Sequence, residues 1–104
     1  MTDIKAIAKE FGYDVSSNDI SMVKDVIKMI ETEGLVDVSK IKPDATIESV
    51  GMASVDVVMV LTAIEEKYDI YLPIDGELSE CKTVKSLVDV LVTKIKEELD
   101  KKGV

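Results

Sequence analysis

Histidine is absent from this 104-residue chain, and so is tryptophan. Without an imidazole, no serine–histidine or cysteine–histidine relay can be assembled within the chain, and the commonest metal-binding side chain is missing. The single cysteine, Cys81, cannot form an internal disulfide or a cysteine cluster of metal-site spacing, and a reducing cytosol fits it best. The aromatic residues are only Phe11, Tyr13, Tyr68 and Tyr71. The core must therefore be aliphatic, and stacking platforms for single-stranded nucleic acid are lacking. Positive charge is short as well: 13 basic residues face 21 acidic ones, a formal charge of −8. Such a surface repels nucleic acid and anionic membranes on average; it either steers the protein onto basic patches of partners or keeps a small monomer dispersed. Long apolar runs are missing too, and Asp3, Lys5, Lys9 and Glu10 interrupt the N-terminal stretch. Neither a signal peptide nor membrane insertion is expected, and the cytoplasm is the expected location.

What remains is the balance of a folded protein, with 46% hydrophobic and 33% charged residues and a length suited to one domain. Ile4, Ile7, Ala8 and Phe11 recur at helical spacing, with Thr2 as an N-cap and Gly12 as a stop. A helix this short is marginal alone and needs a surface to pack on. From Asp19 to Glu33, Ile20, Val23, Ile27 and Ile30 form a stripe widened by Met22, Val26 and Met29, capped by Asn18 or Asp19 and ended at Gly34. Leu35 to Met52 shows no sustained period and is punctuated by Pro43 and Gly51, so a long loop is expected. Its apolar members Leu35, Val36, Val38, Ile41, Ile47 and Val50 should turn inward, because a loop of this length either packs or functions.

Ser54 to Tyr68 is rich in β-branched residues, yet Val57, Val60, Leu61, Ile64 and Tyr68 fall on one helical face. Val55, Asp56, Met59, Thr62 and Glu66 lie on or near the opposite face. The apolar pair Val55 and Met59 implies a helix buried on most sides, the preferred reading, or a small contact patch for a partner. Glu65 and Glu66 read most simply as solvated, helix-favouring residues. Pro73 and Gly76 bound a connection that holds a short helical turn. A last helix opens at Thr83 and carries Val84, Leu87, Val88, Leu91, Ile95 and Leu99. The expected fold is all-α: a small four-helix bundle of three long helices and one short, a long loop between the first two, and an extra N-terminal helix.

The candidate functional residue is Ser54, delivered to a helix start by Gly51-Met52-Ala53. Its plainest role is a helix cap, worth roughly 1 kcal/mol. The same position exposes a hydroxyl beside the positive end of a helix dipole, where a phosphate is favoured. No carboxylate pair stands out as an acid–base couple, so an enzyme is disfavoured.

Four segments, in order, resemble acyl carrier proteins: Lys42-Pro43-Asp44-Ala45-Thr46-Ile47, Val50-Gly51-Met52-Ala53-Ser54-Val55, Glu65-Glu66-Lys67-Tyr68-Asp69-Ile70-Tyr71-Leu72-Pro73, and Thr83-Val84. The resemblance runs from about Asp19 to Leu99. It implies an acyl-carrier bundle over residues 19–100, preceded by an extension at 1–18 and followed by a polar tail at 101–104. It implies that Ser54 receives the 4′-phosphopantetheine arm of coenzyme A from a phosphopantetheinyl transferase, and that an acyl or related group is carried on it as a thioester. The catalysts are then partners: acyl-transferring or condensing enzymes of fatty-acid, polyketide or related biosynthesis, with basic docking patches. The helix from Ser54 would face them, through Val55, Asp56, Met59, Thr62, Glu65 and Glu66. Where the family usually has an aspartate before the serine and a leucine after it, this chain has Ala53 and Val55. That departure implies a specialised carrier, and it keeps open an alternative: an acidic interaction module of the same fold that carries no arm, with Ser54 as a cap.

Overall fold

A computed structural model describes residues 4–14, 16, 19–72 and 80–103. Helices make up all the regular structure among them: α1 (Ile4–Glu10), α2 (Ile20–Glu33), α3 (Ser54–Tyr68) and α4 (Val84–Lys101), with a 3-10 turn at Val38–Lys40. The expected caps Thr2 and Asn18, and the short helical turn between Pro73 and Gly76, lie outside the described residues.

The apolar stripes read from the sequence become one core. On α2, Val23, Val26, Ile27 and Ile30 are buried; on α4, Val84, Leu87, Val88, Leu91 and Ile95; on α3, Val60, Leu61 and Ile64. Each such side chain contributes roughly 1.5–3 kcal/mol by leaving water. The central helix is α2, which packs against α1, α3 and α4. Short α1 gains its stability in the same core: Ile7, Ala8 and Phe11 are all buried there. Tyr13 extends this attachment by donating a hydrogen bond from its hydroxyl to Asp89 on α4, at 2.5 Å. A parallel tie joins α3 to α2, where the Tyr68 hydroxyl donates to Asp25 at 2.7 Å. Burial first, and then the bonded carboxylate, hold both phenols above their ordinary pKa.

The long loop behaves as expected in most places and differs in one. Val36 and Ile41 are buried, while Val38, Ile47 and Val50 pack partly buried against the core. Leu35, expected to turn inward, is instead 84% exposed. The cause is the way α2 ends. Leu35 adopts a left-handed conformation, φ 55°, and the next amide, of Val36, closes back onto the Glu31 carbonyl. This turn throws residue 35 outward and hands the inward position to Val36. Gly34 is small for another reason: a Cβ there would lie 2.6 Å from the Ile30 carbonyl oxygen and 3.0 Å from the end of the Met52 side chain. Met52, just before the Ser54 helix, is thereby seated on the end of α2.

Candidate functional site

Two local devices bring Ser54 to its place. The first is a one-turn coil at Thr46–Gly51. Thr46 and Ser49 exchange hydrogen bonds, the Ser49 amide to Thr46 Oγ1 at 2.9 Å and the Thr46 amide to Ser49 Oγ at 3.0 Å. The coil then reverses at Gly51, φ +83°, where the Met52 amide returns to the Ile47 carbonyl. Only glycine adopts that φ without cost. The second is a two-bond clasp onto the approach to α4: the Ile47 amide donates to the Lys82 carbonyl at 2.8 Å and the Val84 amide to the Ala45 carbonyl at 2.9 Å. This isolated antiparallel bridge, Thr46 opposite Thr83, fixes residues 45–47 beside residues 81–84.

Between these segments and the start of α3 opens a cleft of about 600 Å³, with Ser54 among its lining residues. Ile47, Met52, Val57, Val58 and Cys81 give it an apolar surface; Thr46, Glu48 and Lys82 supply polar groups. Its size and lining lie in the range of small-molecule sites.

Ser54 is not the cap of α3. The capping position belongs to Ala53, whose extended backbone (φ −92°, ψ 172°) suits the role and whose side chain can accept nothing. Asp56 reaches back instead, its Oδ2 accepting from the Ala53 amide at 2.9 Å. Ser54 is the first helical residue; its hydroxyl is exposed and makes no hydrogen bond among the described residues. The cap role read for it from the sequence is therefore corrected, because the glycine turn places the chain's entry one residue earlier. A free hydroxyl at a helix start, beside a cleft, suits a residue that is to be esterified by a phosphate-bearing group.

The other candidate residues spread along α3. Val55 is 64% exposed and Met59 49%, so the preferred expectation that they are buried fails. The buried side of α3 is that of Val60, Leu61 and Ile64, and Val55 and Met59 lie outside it. Thr62 and Glu66 are exposed on the same stripe, the Thr62 hydroxyl donating to the Val58 carbonyl at 2.9 Å. Asp56 is half-buried in its bond to Ala53. Glu65 turns away from the stripe, and its Oε2 accepts from the Leu72 amide at 2.8 Å, holding the chain after α3. Sequence reasoning missed Val58, 39% exposed, although it stands three residues after Val55 on this stripe. It also missed Lys82 and Cys81, which only the clasp brings near Ser54.

The described residues thus form a helical bundle that presents an unbonded serine at a helix start beside a cleft. Comparison with known proteins gives that serine a context. Residues 24–91 match the family model described as the phosphopantetheine attachment site. The acyl carrier protein of Helicobacter hepaticus is 41% identical over 64 residues, covering 60% of this chain and 83% of that protein. The chain belongs to this family, as an acyl carrier protein domain that holds 4′-phosphopantetheine covalently. It is a carrier and not an enzyme; the group supplies a flexible arm ending in a thiol, to which an acyl group is joined. Among the described residues, no helix is long and apolar enough to cross a membrane.

Proposed function

We propose that Ser54 is the residue that bears the arm, and that the protein delivers acyl groups to enzymes of fatty-acid, polyketide or related biosynthesis in the cytoplasm. The observation that carries this reading is the Ser54 hydroxyl, exposed and unbonded at the first residue of α3 and at the edge of the cleft. The partners are a phosphopantetheinyl transferase and acyl-transferring or condensing enzymes, met by a monomeric carrier domain over residues 19–100. They dock on the outer stripe of α3. Val55, Met59 and Thr62 form its middle, Glu66 its far end, and Asp56 and Glu65 its flanks. The apolar middle serves close contact, while the net charge of −8 draws in basic surfaces from a distance.

The test is intact mass after incubation with coenzyme A and a broad-specificity transferase. The wild-type chain should gain one arm and Ser54→Ala none; a gain that survives the substitution would defeat the assignment. The alternative, in which Ser54 is only a cap, is less well supported, because Ala53 holds the capping position.

A further inference from the structure

We propose that Lys82 is the counter-ion of the arm's phosphodiester and so steers the arm along the cleft instead of outward over α3; this rests on Ser54 as the attachment residue. Lys82 and Ser54 line the same cleft. The Lys82 backbone is held in place by the clasp, since its carbonyl accepts from the Ile47 amide at 2.8 Å. Its side chain is exposed and makes no ion pair among the described residues; Lys9, Lys24, Lys28, Lys40 and Lys42 also make none, but they do not line the cleft. Among the residues that line this cleft beside the serine, Lys82 is the one that carries positive charge.

Glu48 also lines the cleft but makes no ion pair with Lys82, so the ammonium is not neutralised there. Asp56 has its carboxylate turned to the Ala53 amide, and residue 53 itself carries no charge. A phosphodiester on Ser54 Oγ keeps one negative charge, fixed to the protein through the esterified oxygen. The four-carbon stem of Lys82 gives its ammonium the freedom to meet that charge from the opposite wall of the cleft. With the phosphodiester drawn to that wall, the rest of the arm is laid against Ile47, Val57 and Val58. Lys82 thus acts as a positioning residue, setting how readily the loaded arm leaves the cleft for a partner.

The experiment uses the arm-bearing protein made with coenzyme A and a transferase, after intact mass has shown the modification. The phosphorus-31 resonance of the phosphodiester and proton cross-peaks between the arm's methyl groups and Val57 and Val58 are compared across variants. In Lys82→Gln the resonance should shift and the cross-peaks be lost; Lys82→Arg should keep both, and Lys28→Gln, on α2 and outside the cleft, should leave both unchanged. High salt should move the wild-type resonance in the direction of Lys82→Gln, because the pair is exposed to screening. A Lys82→Gln spectrum that superimposes on wild type, or equal shifts in both glutamine variants, overturns the role of Lys82 alone. A wild-type chain that takes up no arm overturns the attachment residue as well.

Discussion

The starts of α3 and α4 face the same physical problem and solve it differently. At α4, Thr83 is an ordinary cap: its backbone is extended, its Oγ1 accepts from the Ser86 amide at 3.0 Å, and the hydroxyl donates onward to Ser86 Oγ. At α3 the capping position holds Ala53, and the hydroxyl stands one residue later with nothing to bind. Two similar side chains, one position apart in register, are spent in opposite ways. Thr83 stabilises a helix; the Ser54 hydroxyl is left exposed and unbonded. A local rule broken at one helix start and kept at the other is what a functional position looks like.

The difference can be broken most strongly upstream of α3, because its start is positioned by backbone and not by a cap. Gly51→Ala forces a side chain into a left-handed turn and should destabilise the protein by about 1–2 kcal/mol, read by denaturant titration. It should also slow arm attachment by displacing Ser54. Stability lost without any change in attachment would show that the turn does not place the serine. Next comes the capped helix. Thr83→Ala should cost about 1 kcal/mol while leaving the attachment rate near wild type; a loss well below that would mean the two starts are less different than their geometry indicates.

Ala53→Asp tests the same contrast from the other side, by giving α3 the side chain its backbone already fits. The gain should be about 0.5 kcal/mol, the low end for a cap, because the new carboxylate lies near Asp56 and like charges oppose each other. Attachment should quicken if the transferase reads a carboxylate before the serine, as the family's usual sequence implies. A melting curve and a time course of intact mass check the two effects separately. An unchanged rate with several transferases would show that Ala53 does not limit recognition.

The sequence made the bundle legible where apolar side chains repeat with a helical period. The helix Ser54–Tyr68 begins and ends at the residues its pattern indicated, and α4 opens at Val84 behind Thr83, as expected. Three features were not legible, each for a physical reason. Leu35 points outward because helix termination by a left-handed residue reverses a side chain's direction, and no hydrophobic count records that. Val55 and Met59 are exposed because α3 is apolar nearly all round; periodicity then finds the buried face but cannot say that the other face is left open. The cleft was hidden because its walls come from segments far apart in the chain, joined by backbone hydrogen bonds to which side-chain identity contributes nothing. Ser54 was singled out by its neighbours in sequence, whereas its register, one residue inside the helix start, is set by the glycine turn before it.

The smallest expected effect is the sharpest test of that register. Ser54→Ala should change stability by no more than about 0.5 kcal/mol, as for a surface substitution that breaks no contact. The serine hydroxyl has no hydrogen bond to lose, and alanine is the better helix former at a first helical residue. The comparison must be made on the protein without the arm, since under the proposed assignment only wild type acquires it and the arm would add contacts of its own. Two denaturant titrations suffice, with equal slopes as the sign that the unfolded states match. A loss near 1 kcal/mol would be the value of a cap and would place Ser54 in the same role as Thr83, removing the contrast between the two helix starts. A near-zero change joined to complete loss of attachment would separate availability from stability at a single oxygen atom.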